Sequence, residues 1–157
     1  DAVRSYRSLQ RRREILKDSH VGSFAVIGIV LLALAQFTCF ASVPAETELW
    51  ILALVLGVSR CCSALAVTVL PPMSTSQYAG RQVNKGHILV FCIMLTTTLG
   101  AGFLIWGKMA LSLVGTLAGY GFALRKGYRS LEGMNGDISG YALTISELCA
   151  VAVLAVL

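Results

Sequence analysis

Charge is what this sequence has least of. Asp, Glu, Lys and Arg make up 13% of its 157 residues, against about 25% in an ordinary soluble domain. Mean hydropathy is +0.74, and the missing charge leaves long apolar runs. That excludes an ordinary solvated domain and points to an integral membrane protein. Paired cysteine spacing is absent too. Cys39, Cys61, Cys62, Cys92 and Cys149 contain no CxxC and sit in or beside apolar runs, so packing is their expected role, not metal binding or disulfide formation. The net charge of +5 comes from basic residues that flank apolar runs. No aromatic-basic surface is interleaved among them, which excludes nucleic acid as a partner. The chain begins with Asp1, not Met, and is expected to be a processed form or a part of a longer protein.

Five apolar runs are present: Val21–Val43, Leu49–Leu70, Ile88–Trp106, Met109–Leu124 and Ile138–Leu157. About 20 helical residues cross a bilayer, and backbone polar groups in lipid must be satisfied within the segment, so each run is expected to be a helix. The fourth is short. Only Gly107-Lys108 joins it to the third, which predicts a tight helical hairpin. Within that hairpin "GTLAG" places Gly115 and Gly119 four apart, a spacing that lets helix backbones approach closely. The first run is longer than the roughly 7–15 residues of a signal-peptide core, so it is read as a span. "RSLQRRREILKDS" carries Leu9, Ile15 and Leu16 among basic residues and predicts an amphipathic helix at the membrane surface. The expected fold is all-α: a polytopic transmembrane helix bundle with five membrane helices and an amino-terminal amphipathic helix.

Lys and Arg set orientation. Arg4, Arg7, Arg11, Arg12, Arg13 and Lys17 precede the first run. Pro44–Glu48 has no basic residue, Pro71–His87 has Arg81 and Lys85, the third connection has Lys108 alone, and Arg125–Asp137 has Arg125, Lys126 and Arg129. The bias alternates at each crossing. It predicts a cytoplasmic amino terminus and an extracytoplasmic carboxyl terminus, with residues 1–20, 71–87 and 125–137 sharing the cytoplasmic face.

Three constellations stand out. In "REILKDSHVGSF", Lys17 and Ser19 can serve as phosphate donors, Gly22 permits close approach and Asp18 can hold a metal. The simpler reading is a basic flank in which Asp18-Ser19 caps the first membrane helix. In "SLEGMNGDISG", Gly133, Asn135 and Gly136 form a polar turn before Asp137. Helix-start N–H groups suit phosphate, and a neighbouring carboxylate suits Mg²⁺. The other reading is a plain Asn135 or Asp137 cap. The third constellation is Arg60 and Glu147, each at the centre of its run. A mid-bilayer charge costs roughly 2.5–3.5 kcal/mol on insertion scales. Equal depth and opposite sign suggest a buried ion pair, and a water-filled cavity is the alternative. His20 and His87 lie at membrane borders with no sequence partner, so an interfacial role is expected.

Together these residues resemble the cobalamin 5′-phosphate synthase family, also called adenosylcobinamide-GDP ribazoletransferase. "EILKDSHVGSF" (Glu14–Phe24), Ser59-Arg60 and "GMNGDISGYALTISEL" carry the resemblance, in the family's order. Some positions depart from it. Glu132 stands where the family has Gly, Asn135 where it has Thr and Thr144 where it has Glu, and "QYAGRQVNKG" matches only loosely. Asp1 aligns with the last Asp of an acidic family motif, with Ala2 in place of its Gly. The resemblance therefore implies a single partial membrane domain over residues 1–157, lacking upstream helices, expected to insert in the cell (inner) membrane without catalysing alone.

The implied activity joins adenosylcobinamide-GDP to α-ribazole or its phosphate in the bilayer, with release of GMP. Asp18 and Asp137 are the implied catalytic residues, Lys17, Ser19, Gly22, Gly133, Asn135 and Gly136 the substrate contacts, and Asp1, Asp18 and Asp137 the Mg²⁺ ligands. Glu147 lies roughly 15 Å deeper than Asp137 along a helix, so pairing with Arg60 suits it better than touching phosphate. Two rivals are a CDP-alcohol-type phosphotransferase, whose Asp-Gly-x-x-Ala-Arg motif is not found, and a non-enzymatic transport or scaffold segment, for which an internal repeat would speak. No such repeat is seen.

Overall fold

A computed structural model describes residues 2–18, 20–73, 76 and 84–157. A 3₁₀ turn at Ala2–Arg4 precedes six α-helices: α1 (Leu9–Lys17), α2 (Ser23–Ala41), α3 (Trp50–Val69), α4 (Lys85–Trp106), α5 (Leu111–Leu131) and α6 (Gly136–Val156). Among the described residues there is no β-strand, only an isolated bridge between Pro72 and Met134. The stretches long and apolar enough to cross a membrane are α2, α3, Lys85–Leu131 and α6. The third holds both α4 and α5, so among the described residues the bundle has five long helices with α1 beside them.

Two of the expectations change. The fourth apolar run was expected to end at Leu124, yet α5 continues to Leu131 and is 21 residues long. Arg125, Lys126 and Arg129 are good helix formers, and cations near a helix C-terminus oppose its negative dipole end. The predicted loop from Arg125 to Asp137 shrinks to Glu132–Asn135. The hairpin also differs. Gly107 turns the chain in a left-handed conformation (φ 52°), but α4 then packs mainly along α3. It meets α5 near the turn, where a Cβ on Gly102 would lie 2.5 Å from Leu113.

The tightest pairing is α5 on α6, and the small residues of α5 explain it. A Cβ at Gly115 would come within 2.8 Å of Val153, one at Gly119 within 2.8 Å of Cys149, and one at Gly127 within 3.0 Å of Ile138. In lipid, helix association depends on such close van der Waals contact rather than on hydrophobic exclusion. The partner of the "GTLAG" stripe is thus α6, not α4, and Cys149 has a packing role against it.

Two apolar clusters occupy opposite ends of the bundle. One gathers Ile51, Val55, Val58, Ala110, Leu113, Ala150 and Leu154. There Trp106 also donates from Nε1 to Glu48 at 2.8 Å. The other holds Ala66, Met73, Tyr120, Leu131, Met134 and Ile138, with Ile15 and Leu16 of α1 packed against it. Helices α3 and α5 therefore run parallel and α6 runs against them. Helix α2 buries no residue and lies along α6.

Candidate active site at one end of the bundle

The end that carries α1 is built from the last turns of α3 and α5 and the first of α6. Two backbone hydrogen bonds clip it together: Met73 N–H donates to Met134 O and Met134 N–H to Pro71 O, each at 2.9 Å. Gly133 is buried here, and a Cβ on it would sit 2.9 Å from Met73 Cα. Close backbone approach accounts for the glycine. Arg13 reaches from α1 and donates to Leu131 O from Nε (3.1 Å) and Nη2 (2.9 Å). It also donates to Glu132 O at 3.1 Å. Those carbonyls end α5 and lack helical partners, so the guanidinium caps α5 and moors α1.

Asn135 caps α6. Its Oδ1 accepts from Ile138 N–H at 2.9 Å, and its Nδ2 donates to Asp137 Oδ2 at 3.0 Å. Asn135 is buried and Asp137 exposed, so a fixed amide aims the carboxylate. Gly136 is the first residue of α6, beside that cap.

Asp18 terminates α1. It does not cap α2, whose N-cap is Gly22 without a side-chain bond. His20 is not solitary either. Its N–H donates to Asp18 Oδ1 at 3.0 Å, and its Nδ1 lies 2.7 Å from the same oxygen. Those two contacts, the backbone one first, hold the Asp18 carboxyl below its usual range. The Asp-x-His spacing was the available signal for the pair. Asp1 and Ser19 lie outside the described residues, as does most of the "QYAGRQVNKG" loop.

Two clefts open on this end. The first, of about 1130 Å³, is lined by Arg7, Arg12, Asp18, His20, Gly22 and Lys126 among others. The second, of about 400 Å³, runs between α2 and α6 and is lined by Phe24, Gly28, Lys126, Asp137, Tyr141 and Ile145 among others. Val3, Phe24 and Lys126 line both, so the Asp18 side and the Asp137 side meet at one lysine. Lys17, expected as a phosphate donor, lines neither cleft; Arg7, Arg12 and Lys126 supply the cations. Sequence reading missed Lys126 because its charge reads as a loop residue.

Arg60 and Glu147 do meet, between α3 and α6. Nη2 is 3.5 Å from Oε1, and Ser59 Oγ donates to the same carboxylate oxygen at 3.4 Å. The pair is not enclosed as expected: the Arg60 side chain is 58% exposed and that of Glu147 26%. Neither residue lines the two clefts.

Among the described residues no three His, Cys, Asp or Glu side chains converge into a metal cage. Mg²⁺ needs none, since it takes one or two carboxylates and completes its shell with water and phosphate oxygens. An exposed, oriented Asp137 at a cleft mouth has that donor chemistry.

The sequence profile of the family described as cobalamin-5-phosphate synthase matches residues 1–155. Among curated proteins, the chain is 28% identical over 168 residues to an adenosylcobinamide-GDP ribazoletransferase of Clostridium perfringens (strain SM101 / Type A), with 100% of this chain and 64% of the relative covered. One of Lachnoclostridium phytofermentans is 30% identical over 163 residues, covering 96% and 59%. One of Bradyrhizobium diazoefficiens is 26% identical over 150 residues, covering 89% and 55%. The chain thus spans less than two thirds of the length of these relatives. No solved structure matches it.

Proposed function

The chain belongs to the cobalamin-5-phosphate synthase family, and from that premise we propose that the protein is a membrane transferase joining adenosylcobinamide-GDP to α-ribazole or its phosphate, with GMP as leaving group. The observation that carries the reading is the meeting of the Asp18 cleft and the Asp137 cleft at Lys126, on one end of a membrane bundle. In the reaction an acceptor hydroxyl attacks the diphosphate phosphorus on the cobinamide side. The bond from that phosphorus to the GMP oxygen breaks, and the hydroxyl proton passes to a carboxylate. Such transfer depends on positioning and charge stabilisation more than on covalent help from the protein.

The residues divide that work. Arg7, Arg12 and Lys126 stabilise the diphosphate, while Asp137, held by Asn135, accepts the hydroxyl proton. Asp18, kept ionised by His20, faces the polar cleft from the other side. Asp137 and Asp18 would hold Mg²⁺, with Asp1 a third candidate, and the bound ion would neutralise charge developing on the phosphate oxygens. The site end faces the cytoplasm in the proposed cell-membrane topology.

The test is GMP release from adenosylcobinamide-GDP by membranes carrying the protein, expressed from its complete reading frame. Release that requires added α-ribazole or its phosphate is expected. No release with either acceptor, from well-expressed and inserted protein, overturns the reading.

A further inference from the structure

The two clefts differ in chemistry as well as place. The first carries three cations, Arg7, Arg12 and Lys126, with Asp18 and His20, among apolar residues such as Val3, Ile15 and Phe24. The second carries Lys126 and Asp137, with Thr144 as its one other polar residue besides the Tyr141 phenol, and is otherwise apolar, between Phe24, Ile29 and Leu32 of α2 and Tyr141 and Ile145 of α6. Ligand pockets commonly have this form, with an apolar body, a few fixed polar groups and a volume of about 300–1,000 Å³. The second cleft, at about 400 Å³, is large enough for an aromatic base and too small for a corrinoid ring. α-Ribazole is a riboside of dimethylbenzimidazole, an apolar aromatic base with a polar sugar.

We infer that the α2–α6 cleft is the acceptor subsite, taking the base between the helices and presenting the ribose to Asp137 and Lys126, while the donor's diphosphate occupies the cationic cleft. This rests on the functional reading above. Lys126 then stands where the attacking hydroxyl and the phosphorus must meet, and among the described residues its side chain makes no ion pair or hydrogen bond. An apolar slot for an aromatic base also favours a planar ring over a saturated one of similar size, because ring faces pack against Phe24 and Tyr141.

Gly28 makes the inference testable. It lines the cleft, and a Cβ there meets nothing within 4 Å, so a side chain can start from that position, and a leucine's added bulk takes up space at the cleft wall. Gly100 on α4 is equally open and lines neither cleft. The protein from its complete reading frame, in lipid nanodiscs, is titrated separately with α-ribazole, with its phosphate and with adenosylcobinamide-GDP. Gly28→Leu should raise the Kd for α-ribazole about tenfold or more, with Gly28→Ala between it and the parent. The donor's Kd should stay within about twofold, and Gly100→Leu should change neither. Unchanged α-ribazole binding in Gly28→Leu, or equal weakening of both ligands, overturns the assignment. A parent protein that binds donor but neither α-ribazole nor its phosphate also overturns it while sparing a donor site. Binding of neither ligand removes the functional reading itself.

Discussion

Glu132 holds φ 51° and ψ 48° at the end of α5, a left-handed conformation that costs a side-chain-bearing residue roughly 1–2 kcal/mol relative to glycine. Its described roles are main-chain ones, its N–H donating to Tyr128 O at 2.7 Å and its carbonyl accepting from Arg13, and glycine keeps both. Glu132→Gly should therefore stabilise the protein by about 1 kcal/mol, seen as a higher unfolding midpoint in detergent. Asp18 gives a pH prediction. Its carboxyl is held low by His20, so this contact stabilises the fold above the ordinary carboxylate pKa. The contribution is lost as pH falls through the lowered value. His20→Ala removes the ring contact and keeps the backbone N–H, so it should move the Asp18 titration part of the way upward, followed by carboxyl NMR, and an unmoved titration would leave the ring contact without effect. The residue types at the site were legible, because carboxylates beside glycine at membrane borders are unusual. Their roles were less so. Gly133 looked like a phosphate contact, but its missing side chain answers to Met73, a neighbour sixty positions away in the chain.

The five long helices were readable as elements because a bilayer demands length and continuous apolarity, and both are properties of sequence. The end of α5 was not. Arg125, Lys126 and Arg129 look like a loop by charge, yet nothing in their backbone preferences stops the helix. The small-residue stripe announced a close contact without naming its partner, since spacing fixes one face only. That face gives a paired prediction. Gly119 and Gly121 are two residues apart on α5. A Cβ at Gly119 strikes Cys149 and Ser146, whereas one at Gly121 meets nothing within 4 Å. Gly119→Ala should cost about 1–3 kcal/mol by forcing α5 and α6 apart, and Gly121→Ala should be neutral or stabilising by up to about 1 kcal/mol. Equal midpoints for the two variants in detergent would show that the α5–α6 contact is not made through this stripe.

At the scale of the molecule, the alternating Lys and Arg bias and the antiparallel packing agree on which ends lie together: α1, the end of α5 and the start of α6. A reporter after Leu157 should read extracytoplasmic and one at Ser76 cytoplasmic, and the reverse would put the cleft on the wrong side of the membrane for its proposed substrates. The equal depth of Arg60 and Glu147 was legible in the sequence, but their exposure was not, because it depends on what surrounds α3 and α6. Nor could the sequence show that two clefts share Lys126, which requires three elements to be placed at once. The central claim is that Asp137, aimed by Asn135 at the mouth shared through Lys126, takes part in the transfer. It is tested most directly by GMP release from Asp137→Asn in the protein expressed from its complete reading frame, at equal membrane insertion and ordinary Mg²⁺. The account predicts a loss of at least about 100-fold in kcat, the scale of a general base, with binding of adenosylcobinamide-GDP retained. Turnover by Asp137→Asn at the parent rate would contradict it.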